Sequence, residues 1–261
     1  MDEGPKDAKQ TFLCLHGEPS WGYLYRHMIP HFVDSGARVI APDFFGFGRS
    51  DKPAAEADYT FHFHRNHIMR LIERLDLNNI TLVCQDWGGL IGLTLPVDMQ
   101  ERFSRLIVMN TTLVVGRPAT KGFDQWLAYV QKTPDLPVGS FLKSTTPHLT
   151  DAEVAAYDAP YPDSSFKAGA RQFPRLVMTA PDMEGVGTSK RAFEFWTNDW
   201  KGESFMAIGM KDTILGPPVM RHLASKINGC PEPLEIADGG HFVQEWGDII
   251  APAALKHFGD I

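Results

Sequence analysis

The segment Ile80-Thr-Leu-Val-Cys-Gln-Asp86-Trp87-Gly88-Gly89 carries the first chemical signal of the chain. A β-branched, apolar strand ends in a sharp turn and passes into a helix running from about Gly88 towards Met99. This is the setting of a nucleophile elbow, where a strained turn presents one side chain between small residues. Cys84 and Gly88 are the small flanks, and Asp86 stands where a serine is more usual. An aspartate between a strand and a helix is also a common N-cap, so its partners decide. Asp212 follows a late strand in Gly209-Met-Lys-Asp212, and His241 follows the last one in Asp238-Gly-Gly-His241-Phe. A carboxylate needs no base to activate it and suits displacement at a saturated carbon. A histidine steadied by an acid can then activate the water that removes the product.

Elements that hold such groups together are readable in the pattern. Short apolar runs, at Thr11 to Leu15, Arg38 to Ala41, Ile80 to Val83, Leu106 to Met109, Phe205 to Ile208 and Leu234 to Ile236, read as buried parallel strands. Helical periodicity lies between them. Thr60 can cap a helix in which Phe63, His67, Leu71 and Leu75 share a face, ending near Asp76. The alternation implies an α/β fold, a mostly parallel sheet with helices on both faces. His16-Gly17-Glu18-Pro19 and the Gly-bent loop Asp43 to Ser50 follow the first two strands. Nucleophile, acid and histidine come in the order of the α/β-hydrolases, each at the C-terminal end of a strand. Between about Thr112 and Met183 the rhythm breaks into a proline-rich, aromatic, helical stretch, as expected of a lid over the strand ends. The domain reading is core at 1–112, helical cap at 113–183 and core again at 184–261.

Composition narrows the function classes. The 261 residues are 43% hydrophobic and 11% aromatic, enough for a core and a pocket, and disorder is excluded. With 32 acidic against 25 basic residues the net charge is −7, which argues against nucleic acid as a partner. Cys14, Cys84 and Cys230 are too few for a disulfide framework and lie at no metal-ligand spacing, which suits a reducing, cytoplasmic setting. A charged N-terminus is no signal peptide, and the longest apolar stretch, around Leu90 to Val97, is too short to span a bilayer. His62, His64 and His67 cluster without a Cys or a facing carboxylate motif and read as structural rather than as a metal site. No P-loop or dinucleotide fingerprint is present.

The sequence resembles the haloalkane dehalogenases of the α/β-hydrolase superfamily, in the subfamily whose acid follows the seventh strand. The likeness runs through His16-Gly-Glu-Pro-Ser-Trp21, Ala41-Pro-Asp-Phe-Phe-Gly-Phe-Gly48, Gln85-Asp-Trp-Gly-Gly89, Gly122-Phe-Asp-Gln-Trp126, Phe205-Met-Ala-Ile-Gly209 and Cys230 to Gln244. It is patchy only in the rest of the lid. The resemblance implies Asp86 as nucleophile, His241 as base and Asp212 as its acid. It implies the backbone N–H groups of Glu18 and Trp87 as the oxyanion hole, Trp87 and Trp126 as a halide-binding pair, and Phe123 in the substrate pocket. Asn110 occupies the other place where the family can keep its acid, and an amide cannot carry that charge. The implied substrate is a small haloalkane, the product a primary alcohol plus halide, and the expected cofactor none, since water suffices. Trp21, Trp196, Trp200 and Trp246 read as packing or surface residues.

Two rival readings follow from the same residues. An epoxide hydrolase shares the Asp–His–Asp set and would use lid tyrosines, for which Tyr129, Tyr157 and Tyr161 are available. A non-catalytic binder would keep the pocket without turnover. The family usually has two further N-terminal strands, whose following turn resembles Asp2-Glu3-Gly4. Their lack predicts an exposed sheet edge and a weakened or self-associating core, whereas a covered edge would leave a family-like monomer.

Overall fold

The computed structural model describes residues 1–261. Seven strands form one sheet in the order β1-β3-β2-β4-β5-β6-β7. They are β1 (Asp2–Glu3), β2 (Thr11–Leu15), β3 (Arg38–Ile40), β4 (Ile80–Gln85), β5 (Phe103–Met109), β6 (Glu203–Gly209) and β7 (Leu234–Ile236). All pairings are parallel except that of the edge strand β1 with β3. Every expected strand is present, β4, β5 and β6 lengthened by one to three residues at one or both ends, while Ala41 drops from β3. One expectation is corrected. Asp2 and Glu3 are not a turn but pair with Ile40 and Val39, and Asp2 binds the Arg38 guanidinium at 2.9 Å. Gly4, at φ +81°, makes the turn that follows.

The central strand β4 is buried at all six positions, because both sheet faces are covered. Alternate residues along β2, β4, β5 and β6 enter two separate cores. Leu13, Leu82, Leu106 and Met206 join one, with α2 (Phe61–Arg74), α3 (Trp87–Gly92) and α9 (Val186–Asn198). Phe12, Val83, Ile107 and Phe205 join the other, with α1 (Ile29–Asp34) and α11 (Gly247–Phe258). Thr60 does cap α2, its hydroxyl accepting the Phe63 N–H at 3.1 Å. The deepest stripe of α2 is Phe61, His64, Arg65, Ile68 and Ile72, while Phe63, His67, Leu71 and Leu75 lie half-buried beside it. Arg65 can be buried because Thr94 and Asp98 pair its guanidinium. The helix after Asp86 is shorter than expected. It ends at Gly92, and Pro96, which has no N–H to continue the ladder, starts the separate turn α4 (Pro96–Met99).

Between β5 and β6 lie four helices before α9, namely α5 (Lys121–Lys132), α6 (Val138–Thr145), α7 (Asp151–Asp158) and α8 (Ala168–Leu176), with no strand. A Thr150–Glu153 capping box starts α7. That helix is tied to the sheet-bearing part by a buried cluster. Arg26 donates to Glu153 at 2.7 Å and, through both terminal nitrogens, to Glu245 at 2.8 and 2.6 Å. The Tyr157 hydroxyl completes it by donating to Glu245. The remaining helix, α10 (Pro217–Ala224), follows β6. No helix is long and apolar enough to cross a membrane.

Candidate active site

Parallel strands deliver their C-terminal loops to one edge, and the expected site residues meet there. Asp86 follows β4 directly in a strained backbone conformation, φ +51° and ψ −123°. Such a turn needs neighbours without side chains. A Cβ on Gly17 would lie 2.4 Å from the Asp86 carboxylate, and one on Gly88 would lie 1.9 Å from the Leu15 carbonyl oxygen. The Leu15 backbone cannot yield, because it is paired in the middle of the sheet. Gly88→Ala is therefore expected to destabilise the fold by about 3 kcal/mol or more, read as a fall in the urea midpoint at unchanged slope.

Asp86 is held on both sides. Its Oδ1 accepts the Glu18 backbone N–H at 2.9 Å, and its Oδ2 lies 3.6 Å from His241 Nε2. The Thr111 hydroxyl donates to the Asp86 carbonyl at 2.7 Å. Burial raises the carboxyl pKa, while the charge of His241 and the N–H groups of Trp87 and Glu18 favour the anion.

His241 Nδ1 is 2.8 Å from Asp212 Oδ2. The Asp212 side chain is almost wholly buried and takes three further hydrogen bonds, from Asn110 Nδ2 at 2.9 Å and from the N–H groups of Ile214 and Leu215 at 2.8 and 3.0 Å. Burial would raise its pKa, but the His241 charge and these donors outweigh it and hold the carboxyl at about 2. Burial would likewise lower the His241 pKa. Asp212 foremost, then Asp86, outweigh it and raise the imidazole to about 9. Asn110 is thus not an acid but a support for one, and its Oδ1 also accepts the Gly209 N–H at 2.8 Å.

Above the carboxylate lies a cavity of about 1510 Å³, lined among others by Asp86, Trp87, Phe123, Trp126, Asp212 and His241. Trp87 is nearly fully buried, and Trp126 is half-buried. The Trp126 indole N–H donates to the Glu18 Oε1 at 2.8 Å, a contact between residues 108 positions apart that no motif announces. Two glutamines also went unread. The Gln85 amide lies 3.1 Å from His241 Nε2 and donates to the His241 carbonyl, and Gln244 donates to Gln85 at 3.3 Å. Their signal was present, since Gln85 is the one amide closing an apolar strand. None of Tyr129, Tyr157 and Tyr161 lines the cavity. Tyr129 is exposed, Tyr157 serves the Arg26 cluster, and the Tyr161 hydroxyl donates to the Pro19 carbonyl.

The remaining tryptophans do pack. Trp196 donates to Leu93 O and Trp200 to the Ser204 hydroxyl, while Trp21 stacks on Tyr23 and Trp246 meets His148. His64 is buried among Phe44, Phe63 and Phe173, where burial holds its pKa at about 3, and the three histidines of α2 form no ligand set. The three cysteines are free thiols.

Sheet order and strand-end triad define the class, an α/β-hydrolase, and residues 10–248 match the family described as alpha/beta hydrolase fold. Within that class the chain belongs to the haloalkane dehalogenases, hydrolases acting on carbon–halide bonds. It is 45% identical to the haloalkane dehalogenase of Psychrobacter cryohalolentis, over all of this chain and 86% of that protein. It is 42% identical to haloalkane dehalogenase 1 of Mycobacterium bovis, over 89% of this chain and 78% of that one. Among solved structures, the tetrameric haloalkane dehalogenase DpaA from Paraglaciecola agarilytica superposes with a TM-score of 0.98 at 53% identity, covering 100% of this chain and 88% of that chain. The DbeA enzyme of Bradyrhizobium elkani, at 20% identity and a TM-score of 0.81 over 99% of this chain and 92% of that one, shares the fold.

Proposed function

We propose that this chain hydrolyses small haloalkanes through an alkyl ester on Asp86. The observation that carries the reading is the Asp86 carboxylate on the floor of the cavity, with Oδ1 on the Glu18 N–H and Oδ2 facing His241. Oδ2 attacks the carbon from the side opposite the halogen, and the carbon–halogen pair of electrons leaves with the halide. Indole N–H groups are donors without a competing acceptor, so Trp87 and Trp126 receive that anion, with Phe123 completing the apolar wall. His241 Nε2 then takes a proton from water as its oxygen attacks the ester carbonyl. Oδ1, already on the Glu18 N–H and served by that of Trp87, carries the tetrahedral negative charge. Collapse expels the alkoxide, which takes the proton from His241. Asp86 is restored, and alcohol, halide and one proton are the net products.

Esterification also explains how a histidine raised to about 9 becomes a base. While Asp86 is an anion it favours the imidazolium, and once alkylated it no longer does. The helical segment at 113–183 acts as the lid over a core made of 1–112 and 184–261, and the chemistry calls for water alone.

Halide release from 1-bromobutane and 1,2-dibromoethane tests the reaction, and epoxide opening without halide release would overturn it. Trp126→Phe tests the halide pair. Hydrogen bonds to an ionised partner contribute about 1.5–3 kcal/mol each. Bromide affinity, followed by quenching of the remaining tryptophans, should therefore weaken by about ten- to a hundredfold.

A further inference from the structure

The mechanism has no use for the Glu18 side chain. It is 5% exposed. Its Oε1 accepts the Trp126 indole N–H at 2.8 Å, and its Oε2 is buried with no hydrogen-bond partner. Asp86 and His241 face it across the site, and Tyr161 packs behind its loop. A carboxylate with one bare oxygen beside a second carboxylate is strongly unfavourable in so dry a place. A neutral acid there is far less so, and its O–H supplies a donor. Burial and the Asp86 charge both push Glu18 well above the usual carboxylate range.

We propose that Glu18 is held as a neutral carboxylic acid that keeps the Trp126 indole in place while the site is empty and yields it to an arriving halide, so that halide binding requires a proton on Glu18. The inference rests on Trp126 being a halide donor. A halide must compete with Oε1 for the same N–H. A neutral carbonyl oxygen is a weak rival, whereas a carboxylate would grip the indole with a charge-assisted bond and repel the anion. Loss of the Glu18 proton therefore favours the empty site, and halide binding in turn raises the Glu18 pKa. Above that pKa halide affinity falls by about tenfold per pH unit. His241, raised to about 9, contributes a second linked proton, because its positive charge also attracts the halide.

The test is the bromide dissociation constant, read by tryptophan fluorescence across the neutral and alkaline range, for the parent, Glu18→Gln and Trp126→Phe. Glutamine keeps the shape and the neutral carbonyl but cannot ionise. Glu18→Gln should lose one linked proton from the alkaline decline of bromide affinity, leaving the His241 contribution. An alkaline decline identical to the parent's overturns the proposal. Infrared difference spectra of parent against Glu18→Gln at neutral pH give a second readout. A neutral carboxyl C=O band present only in the parent, and shifted by bromide, is expected, and its absence overturns the proposal. Unchanged bromide affinity in Trp126→Phe would sink the halide-pair reading and this one together. Weakened affinity there, with an unaltered decline in Glu18→Gln, would sink this one alone.

Discussion

Asp86→Ala is expected to lower kcat for halide release by at least about 10⁴-fold, the scale seen when a nucleophile is removed from a triad. The loss should be nearly complete because nothing nearby can replace the carboxylate. Water activated by His241 is a weak nucleophile towards saturated carbon, and the Glu18 carboxyl is engaged by Trp126 through Oε1. The fold should persist, since removing Asp86 relieves a buried charge and leaves the Thr111 contact to the main-chain carbonyl intact. Halide release measured beside a thermal melt checks both. A folded variant retaining more than about a hundredth of the parent rate would show that Asp86 is not the nucleophile.

His241→Gln has the opposite kinetic signature. The first step does not need the imidazole as a base, so one equivalent of halide per chain should appear as a burst. Steady turnover should then fall by about 10³-fold or more, because the ester has no activated water. Asp212 keeps its bonds from Asn110, Ile214 and Leu215, so the strand ends stay in place. Mass spectrometry after exposure to 1-bromobutane should find the butyl group on the peptide containing Asp86. Unmodified protein after a full halide burst would mean that water, not Asp86, attacks the substrate.

Much of this arrangement was legible beforehand because it depends on local order. Strands buried on both faces declare themselves as apolar runs, and residues that close them fall at one edge of a parallel sheet whatever the helices between β5 and β6 do. Asp86, Asp212 and His241 could be placed for that reason. What stayed hidden depends on partners distant in sequence. Arg65 is buried in α2 only because Thr94 and Asp98 satisfy it, so a reading by hydrophobicity chose the adjacent stripe. The Trp126–Glu18 bond joins α5 to the loop after β2, and no periodicity encodes it. Pairing of Asp2 and Glu3 with β3 is likewise invisible, since two charged residues look like a turn until a strand lies beside them.

The Arg26 cluster bears on how any pH profile of this enzyme is to be read. Burial would raise the Glu153 pKa, but the Thr150 N–H and the Arg26 guanidinium prevail and hold the carboxyl at about 2. A carboxyl depressed in the folded state contributes stability that is complete above its unfolded pKa and is lost only as pH falls through the folded value. The Arg26 guanidinium and the Tyr157 hydroxyl are both pushed higher. Glu153, Arg26 and Tyr157, three of the groups that tie α7 to the sheet-bearing part, therefore each keep one protonation state throughout the interval in which His241 changes its own. A kinetic titration in that interval is therefore undisturbed by any change of charge on these three groups, the anchorage of α7 standing apart from the cavity floor whose chemistry is being titrated.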